Sequence, residues 1–248
     1  STEAYDELKK NEIWTTLHSL AQIPLAHQYI DDLVFWIKIN TGMNRLGLQI
    51  SELEKCQSFF KKSNVLMTHL ACADNPDDEL NQMQFSKFDE AWKYTGQKLL
   101  RSVVNSAGSI NFPEQSHDWS RVGIGMYGGL SDMPELTTAM TFRSQIIGFQ
   151  DLKIGERIGY GGRIKTSRET KLAIVYCGYA DGFPQPAIDG TNVRVNNHIA
   201  AIMGRVSMDL ISIDVTDNPN CAIGDWFDVW SPYLPINQIA QKYHLISF

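Results

Sequence analysis

The chain has 248 residues, enough for one large core or for two domains. Its 43% apolar and 20% charged residues describe an ordinary globular protein, and the net charge of -6 is spread without a basic block, which argues against nucleic acid as a partner. The chain starts polar and acidic, Ser1-Thr-Glu-Ala-Tyr-Asp-Glu7, and contains no apolar run of about 18 residues, so neither a signal peptide nor a membrane span is expected within it.

In chain order, apolar strand-like runs lie near Ile13–Leu17, Leu33–Ile39, Val65–Leu70, Leu99–Asn105 and Val122–Tyr127. Between the second and third, Ser51-Glu-Leu-Glu54 reads as a capping box, in which serine and glutamate satisfy free amides at a helix start. Leu80, Met83, Phe88 and Trp92 then fall on one helical face, with Gly96 as a stop. Repeated βα units with near-continuous apolar strands predict a parallel sheet covered on both sides. The second run has a further feature. It carries Lys38, breaks at Thr41-Gly42 and delivers Arg45 at the break, as a barrel strand presents polar groups at its carboxyl end. A buried strand with a snorkelling lysine and a turn would read the same way.

After about Met140 the pattern changes to short strands: Thr141–Phe149, Leu172–Cys177, Val193–Val195, Ile199–Met203, Ile211–Val215 and Trp226–Trp230. Gly155-Glu156, Asn196-Asn197 and Gly224-Asp225 supply turns. Ile211, Ile213 and Val215 alternate with Ser212 and Asp214, the mark of a half-buried antiparallel strand. A short helix, Ile236 to Tyr243, follows Pro235. The four cysteines, Cys56, Cys72, Cys177 and Cys221, form no Cys-x-x-Cys pair and read as packing residues in a reducing cytoplasm. The histidines show no metal-ligand spacing, so no metal is expected.

Seven segments stand out together: Trp36-Ile-Lys-Ile-Asn-Thr-Gly-Met-Asn-Arg-Leu-Gly47, Met67-Thr-His-Leu-Ala-Cys-Ala-Asp74, Asn105-Ser-Ala107, Arg121-Val-Gly-Ile-Gly-Met-Tyr-Gly128, Ile158-Gly-Tyr-Gly161, Gly178-Tyr-Ala-Asp-Gly182 and Gly204-Arg-Val-Ser-Met-Asp209. In this order and at these intervals the set resembles the pyridoxal-phosphate (PLP) alanine racemases, from about Trp14 almost to Phe248. The resemblance implies a (β/α)8 barrel followed by a mostly β domain, here as residues 1–136 (the C-terminal part of the barrel) and 137–248. Five strand runs against eight leave three units, about 90 residues, unaccounted for. The family's Schiff-base lysine motif, of the kind Lys-Ala-Asn-Ala-Tyr-Gly-His-Gly, has no counterpart, so the chain reads as beginning downstream of it.

What the resemblance implies about chemistry is specific. L- and D-alanine interconvert by loss of the α-proton on one face and its return on the other, which needs two bases. Tyr160 matches the tyrosine base contributed by the partner of a head-to-tail homodimer; the absent lysine is the other. A free phenol has a pKa of about 10 and needs a polarising environment. His69 matches the histidine that bonds this tyrosine and an arginine. Arg121 matches the arginine facing the cofactor's ring nitrogen, which it keeps unprotonated because it cannot give up a proton. Ser106, Gly123 and Ile124 match the phosphate contacts, with Asn105 beside them. Arg45 matches the arginine that reaches the substrate carboxylate, and Lys38 a strand lysine subject to carbamylation. Asn40 stands where many relatives have aspartate. Tyr179 and Met208 match residues at the active-site mouth, with Asp209 following, although Met208 in a core and Asp209 in a turn are ordinary sights. Phe248 falls where a phosphate-contacting tyrosine would align. The implied function is PLP-dependent alanine racemisation supplying D-alanine for peptidoglycan. The alternatives are a related serine racemase, or a non-catalytic fragment retaining dimerisation and phosphate-binding surfaces. For this chain alone, lacking the lysine, inactivity is expected.

Overall fold

A computed structural model describes residues 1–130 and 136–242, in two compact units, Ser1–Gly123 and Ile124–Phe248. Phe248 and Tyr243, and with them the expected phosphate-contact position, lie outside the described residues.

The first unit opens with α1 (Thr2–Lys10), whose N-cap Ser1, early Glu3 and late Lys9 and Lys10 suit the helix dipole. Strand β1 (Thr15–Leu17) and the short α2 (Ile23–Ala26) follow, then β2 (Phe35–Lys38), a 3-10 helix over Ile50–Phe59, β3 (Val65–Met67), α3 (Glu79–Tyr94), β4 (Leu100–Ser102) and α4 (Ser106–Asn111). The strands form a parallel sheet in the order β1-β2-β3-β4. Leu17, Phe35, Ile37, Leu53, Phe59, Leu66 and Phe88 are fully buried at its core.

Three sequence expectations are corrected here. Val122–Tyr127 is not a fifth strand: Ile124–Tyr127 is a 3-10 turn, closed by Gly128 donating its amide to the Gly125 carbonyl and Gly129 donating to Ile124. Glycines at 123, 125, 128 and 129 make that tight winding easier than an extended ladder. The capping box sits two residues earlier than expected, where the Glu52 carboxylate accepts the Gln49 amide at 2.8 Å, and it opens a 3-10 helix. Finally, α3 buries Asn81, Gln84, Phe85, Phe88 and Ala91, leaving Met83 43% exposed. The buried face is turned because Asn81 and Gln84 find backbone partners beneath the helix. Gly96, at φ +69°, ends the helix region as expected.

The second unit is a closed antiparallel barrel in the order β10-β11-β8-β5-β12-β9. Its strands are β5 (Phe142–Leu152), β8 (Thr170–Tyr176), β9 (Asn192–Val195), β10 (His198–Ile202), β11 (Leu210–Asp214) and β12 (Trp226–Trp230). The sequence runs locate all six. Asn196 and Asn197, both at positive φ, make the tight β9–β10 hairpin turn. A small hairpin, β6 (Arg157–Ile158) with β7 (Ile164–Lys165), was not anticipated. Helix α5 (Ile236–Lys242) closes the described chain. Ile146, Val175, Val193, Ile213, Phe227 and Val229 fill the barrel.

Candidate active site

Parallel register sets the first group of residues side by side. Lys38 pairs with Met67 and Met67 with Ser102, so the carboxyl ends of β2, β3 and β4 form one row. Lys38 is half-buried at the end of β2. The loop after it returns to its own strand: Asn40 donates its amide to Leu48 at 2.9 Å and Leu48 donates to Lys38 at 2.8 Å. Gly47 closes this excursion at φ +132°, where a Cβ would come within 2.7 Å of the Ile39 carbonyl carbon, so only glycine fits. Arg45 is carried, exposed, on the loop. Asn40 shapes it, its Oδ1 accepting the amides of Gly42 and Asn44 at 3.1 and 3.0 Å.

Directly after β3 come Thr68 and His69. Arg121 reaches across to this row: its Nη1 donates to Ser102 Oγ at 2.6 Å, and its Nη2 donates to the carbonyls of Thr68 and Val103. Burial pulls the Arg121 guanidinium down to about 10, which still leaves it charged at neutral pH. Burial, and then the charges of Arg121, Arg45 and Lys38, push His69 down to about 4, so its imidazole is neutral. Lys38 is lowered by burial and by the same two arginines. Among the described residues no carboxylate pairs with any of the three cations. The group is a field of unbalanced positive charge around a neutral histidine.

Beside it, Gly123 donates its amide to Ser106 Oγ at 2.9 Å, and a Cβ placed on Gly123 would meet nothing within 4 Å. That is open space next to a hydroxyl and a backbone amide. Asn105 has a structural role here. It caps α4, its Oδ1 accepting the Gly108 amide at 2.9 Å, while Nδ2 donates to Leu70. Ile124 begins the 3-10 turn in the second unit.

The second unit gathers Tyr160, Tyr179 and Met208 around one depression of about 520 Å3, together with Gln185, Arg205, Val206 and Ser207. Tyr160 sits on the turn between β6 and β7 and is 70% exposed. Gly178 lets the Tyr179 turn press on the neighbouring segment: Tyr179 donates to the Ser207 carbonyl at 3.1 Å and Ala180 to Met208 at 2.9 Å. A Cβ at Gly178 would collide with the Met208 carbonyl. Arg205 was overlooked as a lining residue although it lies inside the Gly204–Asp209 motif. Gln185 offered no signal beyond a polar loop.

Family models for the alanine racemase N-terminal domain and C-terminal domain match residues 1–131 and 139–248. The chain belongs to the alanine racemase family. The alanine racemase of Shewanella sediminis (strain HAW-EB3) is 37% identical over 257 residues, an alignment covering 97% of this chain and 71% of that protein. The alanine racemase of Legionella pneumophila (strain Corby) is 37% identical, over 98% of this chain and 72% of its own length. Among solved structures, the Acinetobacter baumannii alanine racemase superposes with a TM-score of 0.84 at 30% identity, covering 100% of this chain and 72% of that one. The Bartonella henselae alanine racemase with covalently bound pyridoxal phosphate gives 0.78 at 26% identity, over 99% and 72%. The chain thus spans about seven tenths of the length of these relatives. Their fold, like this one, joins an α/β unit to a β-rich one.

Proposed function

We propose that this chain supplies most of a PLP-dependent alanine racemase, with its domain boundary near Leu136, and that the remaining length of its relatives carries the other barrel strands and the cofactor-binding lysine. The activity is the interconversion of L- and D-alanine; serine as the preferred substrate is not favoured by the relatives. The observation that carries the reading is the row of Lys38, Arg45 and Arg121 around neutral His69, without a balancing carboxylate among the described residues. Such a field suits a ligand with several negative groups, and the open space at Gly123 beside Ser106 suits a phosphate.

When bound, the cofactor supplies a conjugated system that takes up the charge left on the α-carbon as its proton departs. The chain's residues do the rest. Ser106, Gly123 and Ile124 hold the phosphate through a hydroxyl and backbone amides. Arg121, held by three protein acceptors and still charged at neutral pH, would face the ring nitrogen and, having no lone pair to offer, would not protonate it readily. Arg45 binds the substrate carboxylate, and carbamylation of Lys38 turns a penalised cation into an anion that orients Arg45. Tyr160 Oη takes or returns the α-proton on one face. It reaches the site of a second chain in a head-to-tail homodimer, where neutral His69 is free to share a hydrogen bond with it. Tyr179 and Met208 narrow the entrance to favour a small side chain. The enzyme works in the cytoplasm, supplying D-alanine for peptidoglycan.

The test is a racemase assay on the 248-residue chain alone and on the chain joined to the portion of a full-length relative that it lacks. Activity is expected only in the joined protein, with one reducible lysine–cofactor bond located outside the present sequence. Substantial activity from the chain alone, with borohydride trapping the cofactor on one of its own lysines, would refute this account.

A further inference from the structure

Gln84 is 0% exposed on the buried face of α3, among Phe85, Phe88 and Ala91. Burying an amide is unfavourable unless each polar atom finds a partner. Here each does. Its Oε1 accepts the Ala71 amide at 2.9 Å, and its Nε2 donates to the His69 carbonyl at 2.9 Å and to Thr41 Oγ1 at 3.0 Å. The amide has one workable orientation, since the flipped form would set donor against donor at Ala71 and oxygen against oxygen at His69.

The bonds beyond it also have a fixed direction. Thr41 Oγ1 lies 2.7 Å from Thr68 Oγ1, and the Thr68 hydroxyl donates to the Ile39 carbonyl at 3.2 Å. A carbonyl only accepts, so Thr68 spends its proton there and must accept from Thr41, which in turn accepts from Gln84. Both threonines are buried. The Thr68 carbonyl then accepts from Arg121 Nη2. One helix side chain therefore grips the ends of β2 and β3 together. The His69 imidazole makes no hydrogen bond to any described residue, so its aim rests on its backbone.

We infer that Gln84 is a positioning residue for the racemase site, a splint that holds the His69 backbone directly and the Thr41 and Thr68 hydroxyls through a one-way chain of hydrogen bonds ending on the Ile39 carbonyl, and so fixes the segment whose Thr68 carbonyl receives Arg121. The inference rests on the reading of His69 and Arg121 as active-site residues. Without the splint, the Ala71 amide and the His69 carbonyl lose their partners, the loop loosens and water reaches the imidazole. The charged groups facing that imidazole are Arg121, Arg45 and Lys38.

The test uses nuclear magnetic resonance on the 248-residue chain, reading the His69 titration and the hydrogen exchange of the Ala71 amide. In Gln84→Leu, His69 should titrate at least one pH unit above the wild-type value of about 4, a tenfold gain in proton affinity, and Ala71 should exchange at least tenfold faster. Gln84→Glu keeps an acceptor for Ala71 but, ionised, has no N–H to give. It should retain the Ala71 protection and still release His69. Phe88→Leu, on the same buried face, should lower the melting temperature without moving His69. A folded Gln84→Leu protein with Ala71 still protected and His69 unmoved would overturn the inference, as would an equal His69 shift in Phe88→Leu. Neither readout needs turnover, so a failure of the racemase reading would show separately, as absent activity in the joined enzyme.

Discussion

His69 makes the protein's stability depend on pH in a window that can be stated in advance. Its folded pKa of about 4 lies below its ordinary value of 6.5, so the folded chain refuses a proton that the unfolded chain accepts. Stability contributed by the neutral ring is fully present above about 6.5, falls as pH drops toward about 4, and levels off below that. A gap of about 2.5 units at ~1.4 kcal/mol each gives an upper bound of ~3.5 kcal/mol. The ring is only about half buried, and solvent screening brings the expected loss to ~1–2 kcal/mol. Urea unfolding of the wild type and of His69→Gln, at pH values from 8 to 4, isolates this contribution. Carboxylates elsewhere titrate equally in both proteins and cancel in the difference. The wild type should lose ~1–2 kcal/mol more than the variant between pH 7 and 4. Parallel curves would show that burial and the neighbouring cations do not act on His69 as the fold implies.

Gly178→Ala drives a methyl group into the Met208 carbonyl and should cost about 2–3 kcal/mol, read as a lowered unfolding midpoint; an unchanged midpoint would mean that the contact is loose. All four thiols are raised, those of Cys56 and Cys177 up to about 11 by burial, and Cys72 differs in being the one cysteine that is not buried. An aromatic disulfide reagent at neutral pH should therefore titrate one fast thiol per chain, lost in Cys72→Ser, and a second fast thiol would contradict the burial. If Lys38 is the carbamylated lysine, labelled bicarbonate should give a carbamate carbon resonance that disappears in Lys38→Met, together with a rise in melting temperature. A wild-type protein with no such signal would leave Lys38 as a plain cation.

What was legible in the sequence was local. Runs such as Leu33–Ile39 and Trp226–Trp230 located strands because a buried ladder needs apolar side chains on consecutive or alternate residues. The ends were blurred for a physical reason. Val65–Leu70 stops as a strand at Met67, because Thr68 turns its hydroxyl onto Ile39 and Gln84 draws the next carbonyl away. Two-residue strands such as Arg157–Ile158 are too short to show any alternation. Lys38 and Arg45 were legible as polar groups at a strand's carboxyl end, whereas His69 and Arg121 were legible only through their motifs; the charges of Arg121, Arg45 and Lys38 all act on His69. Gln84 was not legible, since a periodicity argument weighs apolar residues and the partner that justifies its burial, Thr41, lies 43 positions away. Asn105 shows how a motif position and a structural role can coincide. It has the motif position of a site residue and the bonds of a helix cap.

Among the described residues this row has no carboxylate of its own, and the same electrostatics say what one would do. A fixed acid beside Arg45 or Lys38 would relax the repulsion and raise both lysine and histidine toward their ordinary values, but it would also occupy the place of a ligand. Burial first, and then this unbalanced field, lower the proton affinity of His69 and Lys38, and an anion would relieve the field. Anion binding and proton affinity are then linked: a carboxylate that settles against Arg45 makes protonation of His69 and Lys38 easier, and each protonation strengthens the hold on the carboxylate. Rigidity is a condition for this coupling. If the ends of β2 and β3 were free to part, the cations would separate, water would screen them and the field would vanish before any ligand entered. The buried amide of Gln84 and the paired threonines meet that condition with neutral groups, which hold the charges together without cancelling them.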